Sequence, residues 1–127
     1  MLYTKTAKGS VDEVTEKLAN ATTANGFGVL GEHNLKERMT AKGVPFASEC
    51  RILEVCNPMQ AKSVLETNIA ISTALPCWIA VYEESDVVKV SALRPTALLR
   101  MFGNPELGNV AEEVEGVMIR IIDSACA

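Results

Sequence analysis

Cys50-Arg51-Ile52-Leu53-Glu54-Val55-Cys56-Asn57-Pro58 is the stretch on which the reading of the whole chain turns. Strict alternation over Cys50 to Val55 puts Arg51, Leu53 and Val55 on one face of a strand and Cys50, Ile52 and Glu54 on the other. Strands buried on both faces in a parallel sheet are continuous apolar runs, and this one is half polar. Asparagine is a strong N-cap and proline is favoured at the first helical position, so Asn57-Pro58 ends the strand and opens a helix from about Met59 to Glu66. Cys56 then sits between a strand end and a helix N-terminus.

Working outward, residues 2 to 6 suit a short edge strand, and Ser10-Val11-Asp12-Glu13 reads as a capping box. Val11, Val14, Leu18 and Ala21 share one face of the helix that follows, and Asn25-Gly26 supplies its left-handed stop. Phe27 to Leu30 is strand-like, and an amphipathic helix from about Leu35 to Lys42 ends at Gly43 with Pro45 beyond it. Downstream, Asn68 caps a second short turn before Leu75-Pro76, and Cys77 opens the next strand. Trp78 to Tyr82 and Val87 to Leu93, joined by Glu83-Glu84-Ser85-Asp86, form an antiparallel hairpin. Pro95 ends it, and Leu98 and Leu99 suit a short helix. Asn104-Pro105 starts a last helix in which Leu107, Val110, Val114, Val117, Met118 and Ile121 face the core.

The resulting order, β-α-β-α-β-α-β-β-α, predicts one α+β domain spanning 1–127. Its layers are two: a mixed sheet of about five strands, and helices mainly on one face. A doubly wound α/β sheet is the alternative, and the charged Arg51, Glu54 and Lys89 inside the strands weigh against it. The sheet face left over meets solvent, a ligand or a second subunit, so a homodimer is expected.

With 127 residues and 48% hydrophobic side chains the chain can build one core. No apolar run approaches the roughly 18 to 20 residues that cross a bilayer, and no leader pattern opens it, so no membrane partner is expected. A net charge of −4, with basic residues scattered, argues against nucleic acid, whose binding relies on clustered cations. Cys50, Cys56, Cys77 and Cys126 lack the density and spacing of a disulfide framework, which suits a reducing cytoplasm. With one histidine and no Cys-x-x-Cys pair, a structural zinc site would have to be assembled from distant residues without the usual spacing, and no residue is assigned as a metal ligand.

Gly26-x-Gly28-x-x-Gly31 has dinucleotide-motif spacing, but it follows a helix and enters a strand, the reverse of what pyrophosphate binding requires. His33 has the pKa for proton transfer but no visible partner, and reads as a helix-entry or surface residue. Cys56 is the stronger candidate: free amides and the positive end of a helix dipole lower a thiol pKa and favour the thiolate. Against this, cysteine is often simply buried, and Asn-Pro turns are common for structural reasons. Cys77 is its one nameable partner. The two lie at one end of the sheet if their strands are antiparallel and apart if parallel, and the sequence leaves that open. Cys50 and Cys126 look incidental, the latter at a fraying C-terminus.

Gly26-Phe27-Gly28-Val29-Leu30, Arg51 to Pro58, Leu75-Pro76-Cys77 with Val81-Tyr82-Glu83, and Val90-Ser91-Ala92 together resemble domain-of-unknown-function family 302. The resemblance spans nearly the whole chain, including the opening capped helix and Gly103-Asn104-Pro105-Glu106. It implies a compact α/β-type domain and a homodimer, and brings no activity, cofactor or catalytic residue. Cys56, Asn57, Pro58, Pro76 and Cys77 fall on its characteristic positions; His33, Cys50 and Cys126 do not. Three readings follow. In the first, Cys56, Asn57 and Cys77 border a binding site for a small molecule, a metal or a sulfur-containing group. In the second, Cys56 attacks and Cys77 resolves in a thiol oxidoreductase or sulfur-transfer enzyme. In the third, the chain is a structural dimeric domain.

Overall fold

The computed structural model describes residues 1–127. The Ser10 hydroxyl accepts from the Glu13 amide while the Glu13 carboxylate accepts from the Ser10 amide, so the expected capping box is formed and starts α1 (Val11–Ala24). Val11, Val14 and Leu18 turn inward, against α5 (Gly108–Cys126), whose Val114, Met118, Ile121, Ile122 and Ala125 are buried. These two helices cover one face of the sheet and share its main core with Leu53, Val55, Ile79, Val81, Val88 and Val90.

The five strands are β1 (Leu2–Ala7), β2 (Gly28–Asn34), β3 (Cys50–Cys56), β4 (Cys77–Glu84) and β5 (Val87–Leu93), in the order β1-β5-β4-β3-β2. The α+β class, the five strands and the two layers are as expected. The sheet is not mixed: all four pairings are antiparallel. Between β3 and β4, α3 (Pro58–Thr67) and a 3-10 turn (Ile69–Ala74) together carry the chain back to the end it left, so β4 begins opposite the close of β3. Ser85 and Asp86, both at positive φ, make the two-residue hairpin turn between β4 and β5.

Three local expectations are revised. β2 runs to Asn34, past Leu30, with a register shift between Val29 and Gly31. The last helix begins as a 3-10 turn at Pro105, and Asn104 forms no side-chain cap because its Oδ1 accepts from Asn68 Nδ2 instead. Cys126 is helical and buried in the main core rather than frayed. Two short helices remain: α2 (Leu35–Ala41), which buries none of its residues, and α4 (Pro95–Arg100), packed against α5. No helix is long and apolar enough to cross a membrane.

Leu18 is fully buried between α1 and the sheet, and Ser10 lies exposed at the helix entry. Urea unfolding is expected to register a loss of about 2–5 kcal/mol for Leu18→Ala, from lost transfer energy and an unfilled cavity. Ser10→Ala should cost about 1 kcal/mol, since it removes only the cap.

Candidate functional site

In β3 the core face carries Leu53 and Val55, and Val55 is paired with Cys77. Residues directly opposed in an antiparallel pair share a face, so Cys77 leaves β4 on the helix-covered side. Cys56 follows Val55 and therefore leaves on the other side, where Gly28 is its partner. The antiparallel topology thus brings Cys56 and Cys77 to the same end of the sheet but aims them from opposite faces. Both are free thiols, and side chains diverging in this way cannot be bridged without backbone movement.

The expected activation of Cys56 is not realised. Pro58 has no N–H, the amides of Met59 and Gln60 both donate to Asn57 Oδ1 at 3.0 and 3.2 Å, and the Ala61 amide donates to the Asn57 carbonyl at 2.9 Å. Every donor of the first turn is spent inside the cap, and none is left for a thiolate. Burial pushes the Cys56 thiol above its ordinary value. It pushes Cys77 to about 11, with the negative charge of an ionised Cys56 adding to the effect. Desolvation is the cause of the shift at Cys56 and the larger of the two causes at Cys77.

What surrounds the two thiols is a cleft of about 560 Å³ at the end of the sheet. α3 forms one wall through Asn57, Gln60, Ala61 and Val64, and the segment Thr73–Pro76, with a cis bond between Leu75 and Pro76, forms the floor. Leu98, Leu99, Met101 and Phe102, in and just beyond α4, close the opposite side. Trp78 and Leu93 stand at the sheet edge of the cleft, and both remain about half exposed. A small satellite core of Val64, Ile71 and Leu107 anchors these walls to each other. Of the 19 lining residues 14 are hydrophobic, and none is charged.

A model of the family described as "Domain of unknown function DUF302" matches residues 3–125. The chain belongs to the DUF302 family. A solved structure, "Crystal structure of uncharacterized conserved protein DUF302 from Bacillus stearothermophilus", is 33% identical with a TM-score of 0.93, covering 99% of this chain and 98% of that one. The search of curated proteins finds no match.

Against this DUF302 fold, His33 is not the unpartnered residue its sequence suggested. It lies within β2, and its Nε2 is 3.0 Å from Glu54 Oε1 on β3, with the Trp78 ring 6.3 Å away. Gly31 makes this possible, because a Cβ there would come within 2.8 Å of Glu54 Oε2. The pair lies on the uncovered face of the sheet. On the covered side Arg51 is ion-paired with Asp12 of α1. No group of three or more His, Cys, Asp or Glu side chains is arranged to hold a metal ion.

In a variant keeping Cys77 as its one cysteine, ultraviolet thiolate absorbance should rise with a midpoint well above the ordinary value of 9.0, because burial, the larger cause, remains when the Cys56 charge is removed. The folded-state value lies above the unfolded one, so this thiol's contribution to stability is complete below about pH 9 and is lost as pH rises towards 11. Melting curves of the wild type should therefore fall more steeply over that window than those of Cys77→Ala.

Proposed function

We propose that the chain is a binding module that takes an apolar small molecule in the cleft bordered by Cys56, Asn57 and Cys77. The observation that carries this is the lining: a concavity of about 560 Å³ walled by 14 hydrophobic residues is of the size and polarity of small-molecule sites. The thiols contribute as neutral, polarisable wall groups. A thiol oxidoreductase or sulfur-transfer enzyme is the weaker reading, since both thiols are held protonated and leave the sheet on opposite faces. Asn57 acts by capping α3 and so fixing the wall that carries Gln60 and Val64.

Trp78 is the one tryptophan in the chain and stands in the lining, so it reports occupancy directly. Energy transfer from Trp78 to the uncharged dye N-phenylnaphthylamine is expected on titration. Ala61→Phe, which fills the cleft from the α3 wall, should weaken the dye by about tenfold or more. Unchanged binding in that variant, with the fold intact by circular dichroism, would move the site elsewhere.

A second reading concerns the uncovered sheet face, where Leu2, Trp78 and Leu93 are exposed beside the linked hydroxyls of Thr4, Ser91 and Tyr82. We propose that a second copy of the chain covers it. Five strands of 6 to 8 residues present a face of roughly 24 by 23 Å, about 550 Å² in projection. Side-chain relief raises the accessible area towards the roughly 800 Å² per partner of a stable interface. Ala80 sits on the central strand of this face, paired with Ile52 and Ser91 and outside the cleft. Sedimentation should give a dimer for the wild type and a monomer for Ala80→Arg; a wild-type monomer at high micromolar concentration would end this reading.

A further inference from the structure

The cleft and the uncovered sheet face share a border. Cys56, Trp78 and Leu93 belong to the cleft lining, and each leaves its strand on the side opposite the helices: Trp78 follows the core-facing Cys77, and Leu93 follows the buried Ala92. Leu93 pairs with Leu2 on β1, and Ile79 pairs with Ala92, so Trp78 and Leu93 are neighbours across β4 and β5. Leu2, Leu93 and Trp78 thus form one apolar row that runs from the cleft onto the face, 59%, 45% and 53% exposed. The charged groups of the same face are engaged within it, Lys89 with Glu84 at 2.7 Å and Glu54 with His33 at 3.0 Å. A second copy laid on this face therefore meets an apolar row and bonded polar groups.

Resting on both readings above, that of an apolar occupant and that of a second copy on this face, we infer that the two events are coupled: the second copy closes the cleft on its sheet side, and a filled cleft tightens the dimer. The sign of the coupling follows from what is covered in each case. Covering an empty cleft shuts about 560 Å³ of apolar-walled space away from bulk water, and water left there finds few polar partners. Covering a filled cleft takes the occupant's apolar surface out of water together with Trp78 and Leu93, and no lining charge is desolvated. Each event therefore favours the other. In a lone chain the occupant keeps one side in water, and enclosure needs the second copy.

Dye titration and sedimentation equilibrium, both with N-phenylnaphthylamine, test this on the wild-type chain. Dye affinity should be about tenfold higher at protein concentrations well above the dimer dissociation constant than well below it. With two equivalent sites per dimer, saturating dye should tighten self-association by the square of that factor, about a hundredfold. In Ala61→Phe, whose cleft is filled from α3, the same dye concentration should leave the dimer constant close to its dye-free value. Ala80→Arg, outside the cleft, should bind the dye at every protein concentration with the affinity of the dilute wild type. Ile52→Lys, on the same face and also outside the lining, takes its place if that variant does not fold. Equal dye affinity at both protein concentrations, or a dimer that the dye loosens, would overturn the coupling while leaving both the cleft and the dimer. A dimer that the dye tightens equally in Ala61→Phe would overturn it too, by placing the effect outside the cleft. A chain that takes up no dye removes the cleft reading, a wild type that stays monomeric at high micromolar concentration removes the dimer reading, and either result removes the coupling with it.

Discussion

Antiparallel pairing of β3 with β4, with Val55 opposite Cys77, is the constraint from which the geometry at this end of the molecule follows. It obliges the connecting segment to leave and re-enter the sheet at the same end of the strands. One unbroken helix over residues 58–74 would be about 25 Å long and would overshoot that return. The chain meets the requirement by breaking the connection at Asn68, which caps both the end of α3 and the start of the 3-10 turn. α3 and that turn then stand beside the sheet end rather than across it, and with α4 opposite they leave a space that the main core does not fill.

The same arrangement decides the state of the thiols. A helix N-terminus stabilises an anion through amides that have nothing else to bond. In α3 those amides are consumed by Asn57, and the residue that would have supplied one more is a proline. The cap that seemed to prepare Cys56 for chemistry is instead what closes off that option, leaving burial as the dominant influence on both sulfurs. Elsewhere charge is handled at the periphery: Asp123 meets Tyr3 and Lys5, and Glu115 meets Thr96 and Arg94, both where β1 or the start of α4 touches α5.

Much of this was legible from local chemistry. Ser10 with Glu13 and Asn57 with Pro58 each specify a structure through neighbours a few residues away and are formed as read, while the hairpin read from the polar run before Val87 is formed with a tighter turn, Glu83 and Glu84 belonging to β4. The half-polar alternation of residues 50 to 55 correctly pointed to a sheet covered on one face. Strand direction was not legible, because it depends on whether α3 and the following turn act as one helix or two. The His33–Glu54 pair was hidden for a related reason: 21 residues separate the partners, and only the β2–β3 register with a bulge beside Gly31 brings them together. Gln60 carried no signal at all in sequence. Leu98 and Leu99 read only as a short helix, and that they line an open space with Leu75 and Phe102 is a property of tertiary packing that no local pattern carries.

The bulge in β2 has a further consequence. β2 is an outer strand, and its free backbone groups would offer a template for strands from other chains. The register shift between Val29 and Gly31 interrupts the regular spacing of those groups, and Glu32, His33 and Asn34 follow it with polar side chains. A flat incoming strand would find its hydrogen-bond ladder out of step after two or three residues. The irregularity that accommodates Glu54 therefore also guards the sheet's margin against runaway polymerisation.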